Sequence, residues 1–471
     1  MSSEFDAMSA MEMRQRIAAK EISPLDLTRR ALAKAEATQS TLNAFYVLMP
    51  EQALAAAREA EDAVMNGAPL GAIHGIPFSV KDLIAVKGVR YASGSRTMAD
   101  NVATVDAPAV ERAKAAGGIL IGKTTTSEFG CKPVGDSPLT GITRNPWNLA
   151  KTPGGSSAGA AASVAAGITP FALGTDGGGS IRIPAAFTGL VGLKGQFGRV
   201  PVSPTSATPT LAHVGPLARS VADMALLFSV IAGFDRRDAF GVAGPVPDVM
   251  AAVSVSVAGM RVAYSPTFGY ARPDPEVVKI THRAAQTFER LGCHVDLVEN
   301  VFDVDPADLW TAEFYAGVGI RLRSFIEHQR ESLDPAVADV LEPALTQEMR
   351  DYYTKVFARY ALREHVRAFF DRYDLLISPT IPVTSLDVGK NIPDALTDRN
   401  LVSWVYYTYP FNLTGHPAAS VCAGFAPDGM PVGLQIVGRS HCEDDVVRAA
   451  GAFEGTFAAG HNVKSFQTLA G

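Results

Sequence analysis

Over about the first sixty residues the apolar positions keep a helical spacing. SPLD, Ser23 to Asp26, reads as a helix start: a serine cap, a proline at the first helical position and an acid in the first turn. The helical run LTRRALAKAEA follows, and a second helix, PEQALAAAREAEDAVMNG, stops at a glycine. The pattern then changes. GIPFSV, GGILIG and TPFALGT are short apolar runs bounded by Gly and Pro, which predicts buried strands, with helical APAVERAKAAG between them. Alternating strands and helices over about a hundred residues predict an α/β sheet covered on both faces. Farther on, VAGMRVAYSP predicts a strand, PEVVKITHRAAQTFERLG a helix and CHVDLV a strand. Residues 305–373 are charge-rich with helical period, a variable helical insertion or cap. DLLISPT and VGLQIVG return to strand texture, and EDDVVRAAGAFEG closes with a helix.

Composition narrows this picture. The 471 residues are 47% hydrophobic and 19% charged, enough to bury a large core, and no Ser/Gly linker or repeat divides them. The chain therefore reads as one large domain, with N-terminal helices over 1–66 and a core over about 70–235. VPVSPTSATPT, from Val200 to Thr210, is loop material suited to lining a cleft. A net charge of −6 without a long basic run argues against nucleic acid or an anionic membrane as partner. The opening MSSEFDAMSAMEMRQRIAAK mixes acids and bases, which predicts no secretory leader. Thr152 to Thr175 carries no charge, but its Gly, Ala, Ser and Thr are too weakly apolar for a membrane span. Cys131, Cys293, Cys422 and Cys442 lie far apart without a CxxC pair, which suits a reducing compartment. The expected location is cytoplasmic.

Two motifs match better-known patterns in letters only. GGILIGKT, Gly117 to Thr124, fits the phosphate-loop spacing, but its middle residues look like a strand where a flexible loop is required. GSSAG, Gly155 to Gly159, fits the nucleophile elbow of a serine hydrolase with Ser157 at its centre, and His416 or His441 could be nominated as base. No apolar strand leads into it, since NPWNLAKTPG comes before.

Three other stretches carry the chemistry, each with an ordinary reading beside it. GIPFSVKDLIAVKG places Lys81 at the end of an apolar run, where it either extends to the surface or enters the interior. TPGGSSAGAAASVAAG sets Ser156 and Ser157 between a glycine turn and a small-residue helix, as a cap or as something more. GTDGGGSIRIPAA sets Ser180 after three glycines and before Arg182. That run is a tight turn, or a place where bare backbone is required.

Together these stretches resemble the amidase signature family. The resemblance extends through GGILIGKTTTSEFG, TRNPWNLAKTPGGSSAGAAASVAAG, GTDGGGSIRIPAAFTGLVGLKGQFGRVP and HVGPLARSVADMALL to NLTGHPAASVCAGF and MPVGLQIVG. It covers most of the chain, least so from about 305 to 370. It implies a single large α/β domain with a mixed, twisted β-sheet sandwiched between α-helices. It also implies a Ser–cisSer–Lys triad: Ser180 as nucleophile, Ser156, after a cis peptide, as bridge, and Lys81 as base.

On that reading the glycines acquire a purpose. Attack on an amide builds charge on oxygen, and the run Gly177, Gly178, Gly179 and Ser180 would supply unobstructed N–H donors for it. One oxyanion donor contributes about 3 kcal/mol, more than the ~1 kcal/mol a glycine costs. Lysine acts as base only when neutral, so burial without a close carboxylate must lower its pKa from the usual value of about 10.4. Asp82 is next in sequence but should face the other side of the strand. Asp176, Arg182 and Ser157 would support the site. No metal or organic cofactor is called for.

The expected partner is a small-molecule amide; the oligomeric state is open, with a homodimer compatible. The glutaminase subunit of tRNA-dependent amidotransferases shares the same core. It carries an acid before its NLAG segment to hold the glutamine amine, where WVYYTYPFNLTG has Val405. An apolar pocket is expected instead, with Phe129, Gly130 and Cys131 on one loop and Trp404, Tyr406 and Tyr407 as the facing wall. Small aryl or alkyl amides are the expected substrates.

Overall fold

The computed structural model describes residues 8–458. Part of the acidic and basic opening stretch, residues 1–7, lies outside it. The helix predicted after SPLD spans Pro24–Leu42, and the Ser23 side chain accepts from the Asp26 amide. The second predicted helix spans Pro50–Met65. Between them the helical expectation fails: Phe45–Leu48 is a strand, β1, which pairs with the strand predicted from GGILIG.

The remaining strands are β2 (Pro77–Lys81), β3 (Ile119–Thr124), β4 (Asp136–Ser137), β5 (Gly141–Ile142), β6 (Phe171–Asp176) and β7 (Val191–Lys194). They continue as β8 (His213–Ala218), β9 (Arg261–Tyr264), β10 (His294–Leu297), β11 (Leu375–Pro379), β12 (Ala418–Phe425) and β13 (Pro431–Gly438). Eleven form one sheet, ordered β1-β3-β2-β6-β8-β7-β12-β13-β11-β9-β10, while β4 and β5 make a small separate hairpin. The sheet is mixed. β2 runs parallel to β3 and β6, β9 parallel to β10 and β11, and antiparallel pairs join these two groups. Helices cover the sheet, giving the single α/β domain expected. Strands β7, β8 and β12 had no strand prediction, because VGLK, HVGPLA and AASVCAGF lack clear alternation.

The phosphate-loop letters resolve as predicted: Ile119 to Thr124 is all strand, and Lys123 is buried against Asp82 at 2.8 Å. The helix Ala158–Ala165 consists of Ala, Gly, Ser and Val and is buried on every side. Such small residues let its axis come close to the sheet. Parallel β2, β3 and β6 end at one edge, and the helix starts beside that edge. The carboxyl ends of adjacent parallel strands are where an open α/β sheet places its ligand.

Gly159 shows how tight this packing is. A Cβ there would lie 2.1 Å from the Ala44 carbonyl oxygen and 2.5 Å from the Thr125 nitrogen, both backbone. Neither can swing aside. Gly159→Ala should therefore destabilise the fold by about 3 kcal/mol, read as a lower urea midpoint at unchanged slope.

Candidate active site

Lys81 is the last residue of β2, and strand alternation puts it on the same face as Ser79, whose hydroxyl meets Ser163 of the buried helix at 3.2 Å. Asp82 turns away, to Lys123. The Lys81 ammonium position is fully enclosed. Its Nζ lies 2.7 Å from Ser156 Oγ, 2.8 Å from Thr175 Oγ1 and 3.0 Å from Ser157 Oγ. All three neighbours are neutral hydroxyls. Burial holds the Lys81 pKa well below the ordinary lysine value, and the more distant Asp176 only partly opposes this.

Ser156 follows a cis peptide from Gly155. A Cβ on Gly155 would lie 2.3 Å from the Val134 carbonyl oxygen, so no other residue fits at that position. Ser157 does not act as an elbow. Its hydroxyl donates to the Thr175 carbonyl and lies against Lys81, and no histidine contacts it among the described residues.

The glycine run bridges β6 and the helix Arg182–Thr188. Its carbonyls are held from behind. Asn412 Nδ2 and His213 Nδ1 donate to the Asp176 carbonyl, Trp310 Nε1 to that of Gly177, Thr408 Oγ1 to that of Gly178 and the Ile183 amide to that of Gly179. A planar trans peptide points its N–H opposite its C=O. The amides of Gly177, Gly178 and Ser180 accordingly face away from these partners and donate to no acceptor among the described residues. Gly179 is different. Its amide donates to Asp176 Oδ1 at 2.7 Å, so it is already engaged. Of the four amides expected as donors, that of Gly179 is therefore taken up by Asp176.

The glycines are also required sterically. Added Cβ atoms would meet Phe314 at 2.8 Å from Gly177, Trp310 at 2.7 Å from Gly178 and Thr408 at 2.4 Å from Gly179, which also has φ +133°.

Asp176 and Arg182 form a fully buried bidentate pair. Nε and Nη2 of Arg182 reach the two carboxylate oxygens at 3.0 and 2.9 Å. Its remaining N–H groups go to the Thr408 carbonyl, Gln435 Oε1 and Asn412 Oδ1. All five guanidinium donors are used. Burial by itself would raise the Asp176 pKa, but the Arg182 charge and the hydrogen bonds from Arg182 and Asn412 hold it well below the usual carboxylate range.

Ser156, Ser180, Thr175 and Gly177 open onto a cavity of about 170 Å³. Phe129 and Gly130 line it, as does the Pro201–Thr208 stretch that the sequence placed at a cleft. Four residues expected on its walls lie elsewhere. Cys131 is buried behind the loop and does not reach the cavity, and burial pushes its thiol well above the ordinary range. Trp404, Tyr406 and Tyr407 are wholly buried in an aromatic core with Phe268 and Tyr270. Their large apolar bodies find more contact there, and Trp404 and Tyr407 satisfy their polar tips on the backbone carbonyls of Asn391 and Pro266. Phe314 and Val318, from the helix Ala307–Arg321, and Leu322 supply the apolar wall instead. These residues and Trp310 were missed because their region looked like an insertion. The signal was present: Trp310, Phe314, Val318 and Leu322 recur every fourth residue, one helical face.

Among the described residues no three His, Cys, Asp or Glu side chains are grouped to hold a metal ion, and no helix is long and apolar enough to cross a membrane.

The Amidase family model matches residues 26–447. An acylamidase of Rhodococcus erythropolis is 35% identical over 453 residues, covering 95% of each chain. A glutamyl-tRNA(Gln) amidotransferase subunit of Geobacter metallireducens is also 35% identical, over 94% of this chain and 96% of its own. The crystal structure of a bacterial aryl acylamidase of the amidase signature family superposes with a TM-score of 0.91 at 30% identity, covering 98% of both chains.

Removing Arg182 leaves the buried Asp176 charge without its cation. Arg182→Met should cost about 3–5 kcal/mol of stability, measured by urea unfolding.

Proposed function

The chain belongs to the amidase signature family of amide-hydrolysing enzymes, and on that premise we propose that it is a free-standing acylamidase using Lys81, Ser156 and Ser180. The observation that carries this reading is the hydroxyl cage around Lys81. A neutral amine has two hydrogens and one lone pair. Donation to Ser157 and Thr175 leaves the lone pair for the Ser156 hydroxyl, 2.7 Å away. Lys81 takes the Ser156 proton as Ser156 takes that of Ser180, and Ser180 Oγ attacks the amide carbon. The charge that develops on the carbonyl oxygen meets the free amides of Gly177, Gly178 and Ser180. The protons then return through Ser156 to the leaving nitrogen, the amine departs, and water clears the acyl group from Ser180 by the same relay.

The lining supports a small apolar substrate. Phe129, Phe314, Val318, Leu322 and Ile84 offer hydrocarbon, while Asp176, the carboxylate at the cavity, is committed to Arg182. A glutamine amine would find no free carboxylate there. Val405, in the place where the amidotransferase glutaminase has its acid, is buried away from the cavity. Aryl or alkyl amides, including anilides, fit better.

Amine or ammonia release should be followed over a panel of anilides, aliphatic amides and glutamine. Anilide turnover should exceed glutamine turnover, and Ser180→Ala should lower kcat/KM by about 10⁴-fold or more. Turnover confined to glutamine would assign the amidotransferase role, and full activity in Ser180→Ala would remove Ser180 as nucleophile. The pH profile gives an independent check. Only neutral Lys81 is active, so kcat/KM should rise with pH along an acid limb whose midpoint lies well below the ordinary lysine value of 10.5. An acid limb centred near that ordinary value would contradict a neutral buried base.

A further inference from the structure

Glu128 is buried beneath the turn that presents Phe129 and Gly130 to the cavity, yet it does not reach the cavity itself. Its two oxygens point to different parts of the fold. Oε1 accepts from Ser95 Oγ at 2.7 Å, in the segment whose Leu83, Tyr91 and Ser93 line the cavity. Oε2 accepts from the Asp334 amide at 2.6 Å. Asp334 caps the helix Pro335–Leu341, which packs against Ala307–Arg321, the helix carrying Phe314 and Val318. One carboxyl group thus joins three walls of the same cavity.

The turn depends on support of this kind. Phe129 has φ +49°, a left-handed conformation that a bulky residue seldom adopts, and its amide is tied to the Ser93 carbonyl at 2.8 Å. Gly130 also has positive φ, and a Cβ there would come within 3.2 Å of Ser156 Oγ. A shift of the turn would move the cavity wall that Phe129 and Gly130 form. The groups around Glu128 are Asp334, Lys132, Asp136 and the Cys131 thiol. Lys132 Nζ lies 2.5 Å from both Asp334 and Asp136, which leaves Glu128 with no cationic hydrogen-bond partner. Burial accordingly pushes the Glu128 carboxyl up to about 7. The contacts it makes need hydrogen-bonding atoms in place more than they need a charge.

We propose that Glu128 is a positioning residue that sets the width of the acyl-amide cavity by hydrogen-bonding the Ser95 segment and the Asp334 helix cap to the Phe129–Gly130 turn. The inference rests on the acylamidase reading of the site. Glu128→Ala removes both ties, and Ser95→Ala removes one without opening a large void. Glu128→Gln keeps an acceptor for the Asp334 amide and turns a donor towards the Ser95 hydroxyl, which can accept it.

The test compares acetanilide, the bulkier amide and so the more sensitive to the cavity's width, with the smaller propionamide. In Glu128→Ala and Ser95→Ala, KM for acetanilide should rise about tenfold, the factor for losing one buried hydrogen bond. kcat and the propionamide KM should stay within about threefold of wild type, and Glu128→Gln should restore the acetanilide KM. Acetanilide binding by calorimetry, with each variant placed in the Ser180→Ala chain, reads the same effect without turnover. Loss of affinity there in a protein whose wild type hydrolyses no amide would support Glu128 while defeating the acylamidase reading. Unchanged acetanilide KM and affinity in both alanine variants, or equal losses for the two amides, would overturn the Glu128 proposal while leaving that reading intact. Failure of Glu128→Gln to recover what Glu128→Ala loses would overturn it too.

Discussion

The Asp176–Arg182 pair is the interaction on which the site's geometry depends. It joins the end of β6 to the helix that follows the glycine run, and through Thr408, Asn412 and Gln435 it reaches a segment more than two hundred residues away. An isolated pair of buried charges is an uncertain source of stability, because desolvation opposes the Coulomb attraction. Here every guanidinium donor has an acceptor, and Asp176 also accepts from the Gly179 and Ile181 amides. A loop pinned at both ends in this way cannot relax its amides towards local acceptors. The Gly177, Gly178 and Ser180 amides are left without an acceptor among the described residues, and Gly177 and Ser180 line the cavity.

Lys81 receives the opposite treatment. Arg182 is buried against a carboxylate, whereas Lys81 is buried with three hydroxyls and is driven towards neutrality. The arrangement separates the two cations by role. Asp82, the carboxylate adjacent to Lys81 in sequence, is drawn to Lys123 on the neighbouring strand, so strand alternation itself keeps that charge away from Lys81.

The helical region once read as an insertion proves to be part of the site. Trp310 stacks on Phe314 with centroids 4.4 Å apart, and together they occupy the space that the missing side chains of Gly177 and Gly178 leave open. The glycine run thus serves two needs: close approach of aromatic rings on one side and exposed amides on the other. The run and the helix constrain each other, though about 130 residues lie between them in the chain.

Local pattern determined much of this protein. Roles for Lys81, Ser156, Ser157, Asp176, Ser180 and Arg182 came from the family resemblance and not from local pattern; apolar runs bounded by Gly and Pro marked β2, β3 and β6, and SPLD marked a helix start. Those signals are legible because they arise from neighbours in sequence: strand alternation, capping and the need for glycine. Tertiary structure decided the rest. It sent Trp404, Tyr406 and Tyr407 into the core, put Phe314 and Val318 at the cavity, engaged the Gly179 amide and gave Glu128 its partners. An aromatic or carboxyl side chain has the same local pattern in a core as in a pocket, and only contacts between distant segments determine which surface it meets.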